Sequence, residues 1–164
     1  MVNILAKVIV AYESKYGNTK LVAETIIEGI KEVGKIETVL SEIKEVDLNK
    51  VTDYDAILTG SPNHWGGPTR GVRKFIDKLS ELNLERKLFA VFDTCLGTDF
   101  EKAVKKMEKR INEKVPGLKQ IAPGLSIKVG GMKGPLVEDE LSKCREFGNR
   151  IATQIETLSL SLVR

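Results

Sequence analysis

Residues 7–19 read KVIVAYESKYGNT, and this stretch decides the fold. Residues 7–12 are a short, β-branched apolar run, the pattern of a strand buried on both faces. Residues 13–17 are short and polar and end in Gly17. From Asn18 to Val33 the period changes. Val22, Ile26, Ile30 and Val33 recur at helical spacing, with Ala23 and Ile27 beside them, and Gly34 supplies a stop. A buried strand that runs through a tight loop into a helix is the first unit of an alternating α/β fold.

The same alternation continues outward from this unit. Strands are expected over 36–40, 55–59, 87–92 and 125–129. A polar stretch fills 41–53, and a loop with three glycines and two prolines fills 60–69. Helices are expected over 70–82, 99–115 and 137–158. Their apolar stripes include Val72, Phe75, Ile76 and Leu79, then Phe100, Ala103, Val104, Met107 and Ile111. The last helix carries Leu141, Cys144, Gly148, Ile151 and Ile155 in register. Asp99 reads as the cap of the helix over 99–115, and Pro116-Gly117 as its end. Met, Phe and Cys in these stripes read as core. Five such units predict one domain over 1–164: a three-layer, doubly wound sandwich around a five-stranded parallel sheet. Ligands of such sheets sit beyond the carboxyl ends of the strands.

Composition narrows the function. The 164 residues are 41% hydrophobic and 30% charged, the balance of a soluble globular protein. A net charge of +3 is too small to argue for nucleic acid. No apolar run approaches the ~20 residues of a membrane span, and the start lacks the features of a secretory leader. Cys95 and Cys144 form no CxxC pair, so no metal site is expected, and free thiols fit a cytoplasmic protein.

The loop after the first strand is Ser14-Lys15-Tyr16-Gly17-Asn18-Thr19. Successive backbone N–H groups at a helix start form an anion site, to which hydroxyl and amide groups add donors. The simpler alternative is a plain helix cap. The chain lacks Gly-Lys-Ser/Thr, which argues against a P-loop NTPase. It also lacks Gly-x-Gly-x-x-Gly here, as a Rossmann dinucleotide site would need. A phosphate-accepting receiver domain would need an acidic cluster, and strand three ends in Thr59-Gly60.

This loop resembles that of the flavodoxins, Thr/Ser-x-Thr-Gly-Asn-Thr, with Tyr16 in place of a threonine. Tyr-Gly at this point is similar to the flavodoxin-like quinone reductases. The resemblance implies strand order 2-1-3-4-5 and flavin mononucleotide (FMN) as cofactor. It implies electron transfer between redox partner proteins, a reductase and an acceptor. The alternative it leaves open is an NAD(P)H-dependent quinone reductase.

By the same resemblance, two further loops hold the flavin ring. The first is Ser61-Pro62-Asn63-His64-Trp65-Gly66-Gly67. Trp65, the sole tryptophan, would stack on or flank the ring; packing under its own loop is the alternative. The resemblance places a peptide that turns toward the reduced ring at Trp65-Gly66 or Gly66-Gly67. His64, the sole histidine, reads equally as a donor to the ligand or as a solvated loop residue. The second loop is Asp93-Thr94-Cys95-Leu96-Gly97, where Leu96 covers the other ring face and the rest offer backbone contacts. No base is identifiable beside Cys95, which argues against a nucleophile. The loop 130–135 reads as a surface turn. These loops carry Lys15, His64, Arg70 and Lys133 against Glu13, Asp93 and Asp99, a balance that would favour the reduced flavin anion more than in acidic flavodoxins.

Overall fold

The computed structural model describes residues 6–162. Residues 1–5, part of the start read above as lacking a leader, lie outside the described residues, as do 163–164. Strand β1 (Ala6–Tyr12) lies inside the sheet. Its side chains alternate between two cores: Val8, Val10 and Tyr12 enter one, Ile9 and Ala11 the other. Burial on both faces is why the run shows no polar alternation.

β1 pairs in parallel with β2 (Ile36–Glu42) on one side and β3 (Ala56–Pro62) on the other. β4 (Leu88–Cys95) pairs with β3. Helix α1 (Asn18–Val33) covers one face together with α4 (Glu140–Leu162), through Val22, Ile26, Cys144, Ile151 and Ile155. Helices α2 (Arg70–Leu79) and α3 (Lys102–Lys114) cover the other, through Val72, Phe75, Ile76, Val104, Met107 and Ile111. Three layers and strand order 2-1-3-4-5 are thus observed as expected.

The fifth position differs in detail. Two short strands share it, β5 (Lys119–Gln120) beside Leu88 and Phe89, and β6 (Leu125–Lys128) beside Phe92 to Cys95. The first was not expected, because Lys119 and Gln120 are exposed and carry no apolar signature. Pro123, with no N–H to donate, lies in the gap between them.

Other boundaries moved for hydrogen-bonding reasons. β3 runs on through Gly60, Ser61 and Pro62, which pair with Phe92, Asp93 and Thr94. Gly60, Ser61, Pro62, Asp93 and Thr94 were expected in loops. The connection after β2 holds two 3₁₀ turns, Ile43–Glu45 and Leu48–Asp53. Asp99 does not cap α3; it lies in a 3₁₀ turn, and the helix begins at Lys102 after Glu101 at φ 65°. Phe100, expected in the core, is exposed, with the Lys128 ammonium 5.2 Å from its ring centroid. Leu141 is also exposed, whereas Phe75, Met107 and Cys144 are buried as read.

α1 and α4 approach closely at two glycines. A Cβ on Gly148 would stand 2.1 Å from the Ile26 carbonyl oxygen, and one on Gly29 2.2 Å from that of Arg145. Only hydrogen fits there. Asn149 donates to the Gly29 carbonyl at 2.6 Å, and Arg145 pairs with Glu28 at 3.0 Å and Glu32 at 2.5 Å. This clamp fixes the α1 axis and therefore the direction of its amino end, which faces the site.

Candidate functional site

At the carboxyl edge of the sheet lies a cavity of about 1160 Å³. The loops after β1, β3 and β4 all contribute to its wall. The volume exceeds the few hundred Å³ of a small-ligand pocket and suits a ligand with a ring system and a polar tail.

The first wall is the loop entering α1. Ser14, Lys15, Tyr16, Asn18 and Thr19 line it. Gly17 turns the chain at φ 91°, outside the range most L-residues adopt. The Ser14 hydroxyl oxygen accepts from the Gly17 N–H at 3.1 Å and weakly from Lys20 N–H at 3.4 Å. The helix has no other side-chain cap. The N–H groups of Tyr16, Asn18 and Thr19 have no partner among the described residues. A helix start leaves such donors free, and the helix dipole adds positive potential. The loop therefore caps the helix through Ser14 and also leaves donors free that could meet an anion. The Lys15 and Lys133 ammonium groups lie 5.4 and 5.9 Å from the Tyr16 ring centroid, so two cations flank this loop. Gly134 packs on the Asn18 side chain, where a Cβ would meet Nδ2 at 2.6 Å. The loop expected to be a surface turn thus buttresses the anion site and brings Met132 to the cavity wall.

The second wall is the turn after β3. His64 N–H donates to Gly67 O at 2.7 Å, and Gly67 N–H to His64 O at 3.2 Å. The two residues between, Trp65 and Gly66, have φ 54° and 75°, the signature of a type I′ turn. Glycine adopts that conformation freely, whereas tryptophan pays roughly 1–2 kcal/mol. The turn presents Trp65 91% exposed, which rules out packing under its own loop. The His64 ring, also exposed, lies 6.2 Å from the indole and is tilted 51° to it. Together they form a projecting aromatic wall.

Asn63 and Pro62 also line the cavity. Asn63 Nδ2 donates to Asp99 Oδ2 at 2.9 Å, and Lys102 donates to Asp99 Oδ1 at 2.9 Å. A carboxylate accepts only, so this bond fixes which end of the amide is oxygen. Asn63 Oδ1 is then buried without a partner. An orphaned buried acceptor is rare and suits a ligand N–H.

The third wall is the end of β4. Thr94, Cys95 and Leu96 line the cavity, and the Thr94 and Thr19 hydroxyls join at 2.9 Å, tying the first wall to the third. The Cys95 thiol is buried and its pKa is raised, first by desolvation, so it stays protonated at neutral pH.

Some expected residues fall elsewhere. Asp93 is 0% exposed and off the cavity wall. Its Oδ1 accepts from the Ser126 hydroxyl at 2.5 Å and its Oδ2 from Val104 N–H at 3.0 Å. It holds the start of α3, because β4 continues through it and turns its side chain toward that helix. Ser61 is equally buried; its hydroxyl donates to Pro62 O at 2.9 Å and accepts from Thr69 N–H at 3.0 Å. It braces the turn. Gly17, Gly66, Gly67 and Gly97 do not line the cavity. Residues not foreseen do: Ile43, Val46 and Leu48 from the β2–β3 connection, and Lys74 and Phe75 from α2; Arg70, expected among the site's charges, lines it too. Three apolar residues recurring within the polar stretch 41–53 were the available signal.

No described helix is long and apolar enough to cross a membrane. Among the described residues, no group of three His, Cys, Asp or Glu could hold a metal ion.

An α/β sandwich with free helix-start donors and an aromatic turn at one sheet edge is a doubly wound fold, whose ligands sit at that edge. The flavodoxin domain family matches residues 9–128, and the chain belongs to that family. Family membership implies a flavin cofactor. A flavodoxin of Clostridium saccharobutylicum is 38% identical over 88 residues, 54% of this chain and 55% of the relative, so the match spans about half of the relative's length. Among solved structures, an archaeal flavodoxin superposes with a TM-score of 0.79 at 27% identity, covering 92% of this chain and 99% of the other. Oxidised Flavodoxin 2 from Bacillus cereus superposes with 0.78 at 30% identity, covering 91% and 99%.

Proposed function

We propose that the chain binds FMN in this cavity and carries electrons singly between redox partner proteins. The observation that carries the reading is the pairing of two unlike walls around one cavity. Free N–H donors with flanking lysines face it on one side, and an exposed indole on a strained turn faces it on the other. A phosphate tail needs the first and a flat apolar ring the second.

The residues present fit the cofactor. Ser14 to Thr19 would hold the phosphate. Trp65 and Leu96 would cover the ring faces, and His64 would lie at the ring's edge. The unsatisfied Asn63 oxygen would accept a ring N–H, and backbone groups from Thr94 to Gly97 would face the polar end of the ring. The Trp65-Gly66-Gly67 peptides are the ones free to turn toward the ring, since two of the three residues are glycine. Bound FMN supplies the redox chemistry. The chain's part is to exclude water with the indole, fix the ring by the Asn63–Asp99–Lys102 chain, and set the local field.

Anaerobic reduction of the FMN-loaded protein tests this, with NADPH added before dithionite. The carrier reading expects no reduction by NADPH and two resolved one-electron steps under dithionite. Direct bleaching by NADPH in a single step would replace it with the quinone reductase.

A further inference from the structure

The mouth of the cavity carries an excess of cations that no acid neutralises. Of its acids, Glu42 pairs with Lys44, and Asp99 with Lys102 and Asn63. Glu13 lies over the start of α2, where its Oε1 stands 2.5 Å from the position of a Cβ on Gly71, and complements the helix dipole. Lys15, Arg70, Lys74, Lys106 and Lys133 are exposed and make no ion pair among the described residues.

They are spread around the mouth. Lys15 and Lys133 flank Tyr16 on the anion loop. Arg70 and Lys74 line the cavity from α2. Lys106 reaches from α3 to the aromatic turn, its Nζ 3.6 Å from where a Cβ on Gly67 would stand. A phosphate on the anion loop would offset the first pair. The other three stand on α2 and α3, away from the anion loop, and keep their charge.

Between these cations sits apolar surface: Trp65 at 91% exposure, Met132 at 79% and Leu96 also exposed. An apolar centre with a charged rim is the anatomy of a protein docking site. With one sign of charge on the rim, it selects the opposite sign and speeds encounter.

We infer that this mouth docks an acidic electron-transfer protein, whose carboxylates meet Arg70, Lys74 and Lys106 while its apolar centre meets Trp65 and Met132. The inference rests on the electron-carrier reading and adds the partner's chemistry to it.

The test uses two probe proteins of opposite charge, an acidic [2Fe–2S] ferredoxin and a basic c-type cytochrome. Calorimetry on the flavin-free chain measures binding to each at low and at 0.3 M ionic strength. Stopped-flow on the loaded chain measures its oxidation by the cytochrome, and its reduction by the reduced ferredoxin, one electron passing from iron to flavin. The ferredoxin should bind at low salt and lose about tenfold in affinity and rate at high salt, as surface charge is screened. The cytochrome should not bind and should react faster as salt rises. The Lys74→Glu/Lys106→Glu double variant should lose at least about tenfold in ferredoxin affinity with unchanged circular dichroism. Preference for the cytochrome, salt-independent ferredoxin binding, or a variant that binds like wild type would each overturn the docking surface. Any of these with FMN binding and two-step reduction intact leaves the carrier reading standing. Failure to bind FMN overturns both.

Discussion

Replacing Asp93 by Asn should stabilise the protein at neutral pH and do so only there. Asp93 is wholly buried between β4 and α3, accepts from the Ser126 hydroxyl, the Val104 N–H and the Cys95 thiol, and has no cation in ion-pair range among the described residues. Burial is the main cause that lifts its pKa from 3.8 to about 6; Glu101 adds to this, while the hydrogen bonds from Ser126, Val104 and Cys95 oppose it. A carboxyl whose folded pKa exceeds its unfolded value binds its proton more tightly when folded. Its contribution to stability is therefore largest below 3.8, falls as pH rises toward 6, and is flat above. The fall is about 2 pK steps of 1.36 kcal/mol, or about 3 kcal/mol. Asparagine removes that penalty but keeps only one acceptor. Ser126 must turn to accept from the new amide, at a loss of about 1 kcal/mol. The net gain is about 2 kcal/mol at pH 7.5 and a loss of about 1 kcal/mol at pH 3.5. Urea unfolding of wild type and D93N at both pH values measures it. With a slope near 2 kcal/mol per molar, the midpoint should rise by about 1 M at pH 7.5. Other titrating groups are common to both proteins and cancel in the difference. A D93N protein less stable than wild type at pH 7.5, or a difference equal at both pH values, would refute the reasoning. FMN affinity should be nearly unchanged, since Asp93 faces α3.

Two further substitutions probe the clamp and the aromatic wall. Gly148→Ala drives a methyl to within 2.1 Å of the Ile26 carbonyl oxygen and must part α1 from α4; it should cost about 3 kcal/mol or more, read as a lower unfolding midpoint. Trp65→Ala should weaken FMN binding about tenfold or more while leaving stability unchanged or slightly higher, because the exposed indole packs on little else and Ala relieves some of the strain at φ 54°. Titration of FMN fluorescence and a thermal melt separate the two effects.

The fold was legible because the strands buried on both faces leave long apolar runs, as in residues 7–12, and the helices leave clean stripes, as in Val72–Phe75–Ile76–Leu79. What was not legible depended on pairing. Lys119 and Gln120 form a strand only because β4 offers them free backbone groups. Ser61 and Asp93 are polar residues that fell within expected loops, and so read as ligand contacts. The strands run farther than their apolar cores, and the pleat turns both side chains inward. The tight turn into α1 and the turn that exposes Trp65 were readable because their chemistry is local: glycine, hydroxyls and a lone aromatic. The lysine rim was half visible. Lys15 and Lys133 sit in the loops themselves, whereas Lys74 and Lys106 reach the mouth from helices whose sequence says only that they are solvated.

That rim bears on how strongly the site holds a second electron. The sequence balance set Asp93 and Asp99 against the lysines. In the fold, Asp99 is paired with Lys102, so the cations outweigh the acids further than the sequence suggested, while Asp93 is turned inward and keeps its charge above its pKa of about 6 in both proteins compared below. A unit charge one Debye length away, about 10 Å at 0.1 M salt, contributes on the order of 1 kcal/mol at a protein surface. That corresponds to about 40 mV for a single electron. Three unneutralised cations acting together would raise the second one-electron potential by roughly 100 mV at low salt over a chain with a neutral rim. Redox potentiometry on wild type and the Lys74→Glu/Lys106→Glu variant, at low and at 0.5 M salt, reads this directly. The two proteins should differ most at low salt, with the variant the more negative, and should converge as salt rises. If they agree at low salt, the field at the ring is set by the buried dipoles of the three loops, and the surface lysines serve docking alone.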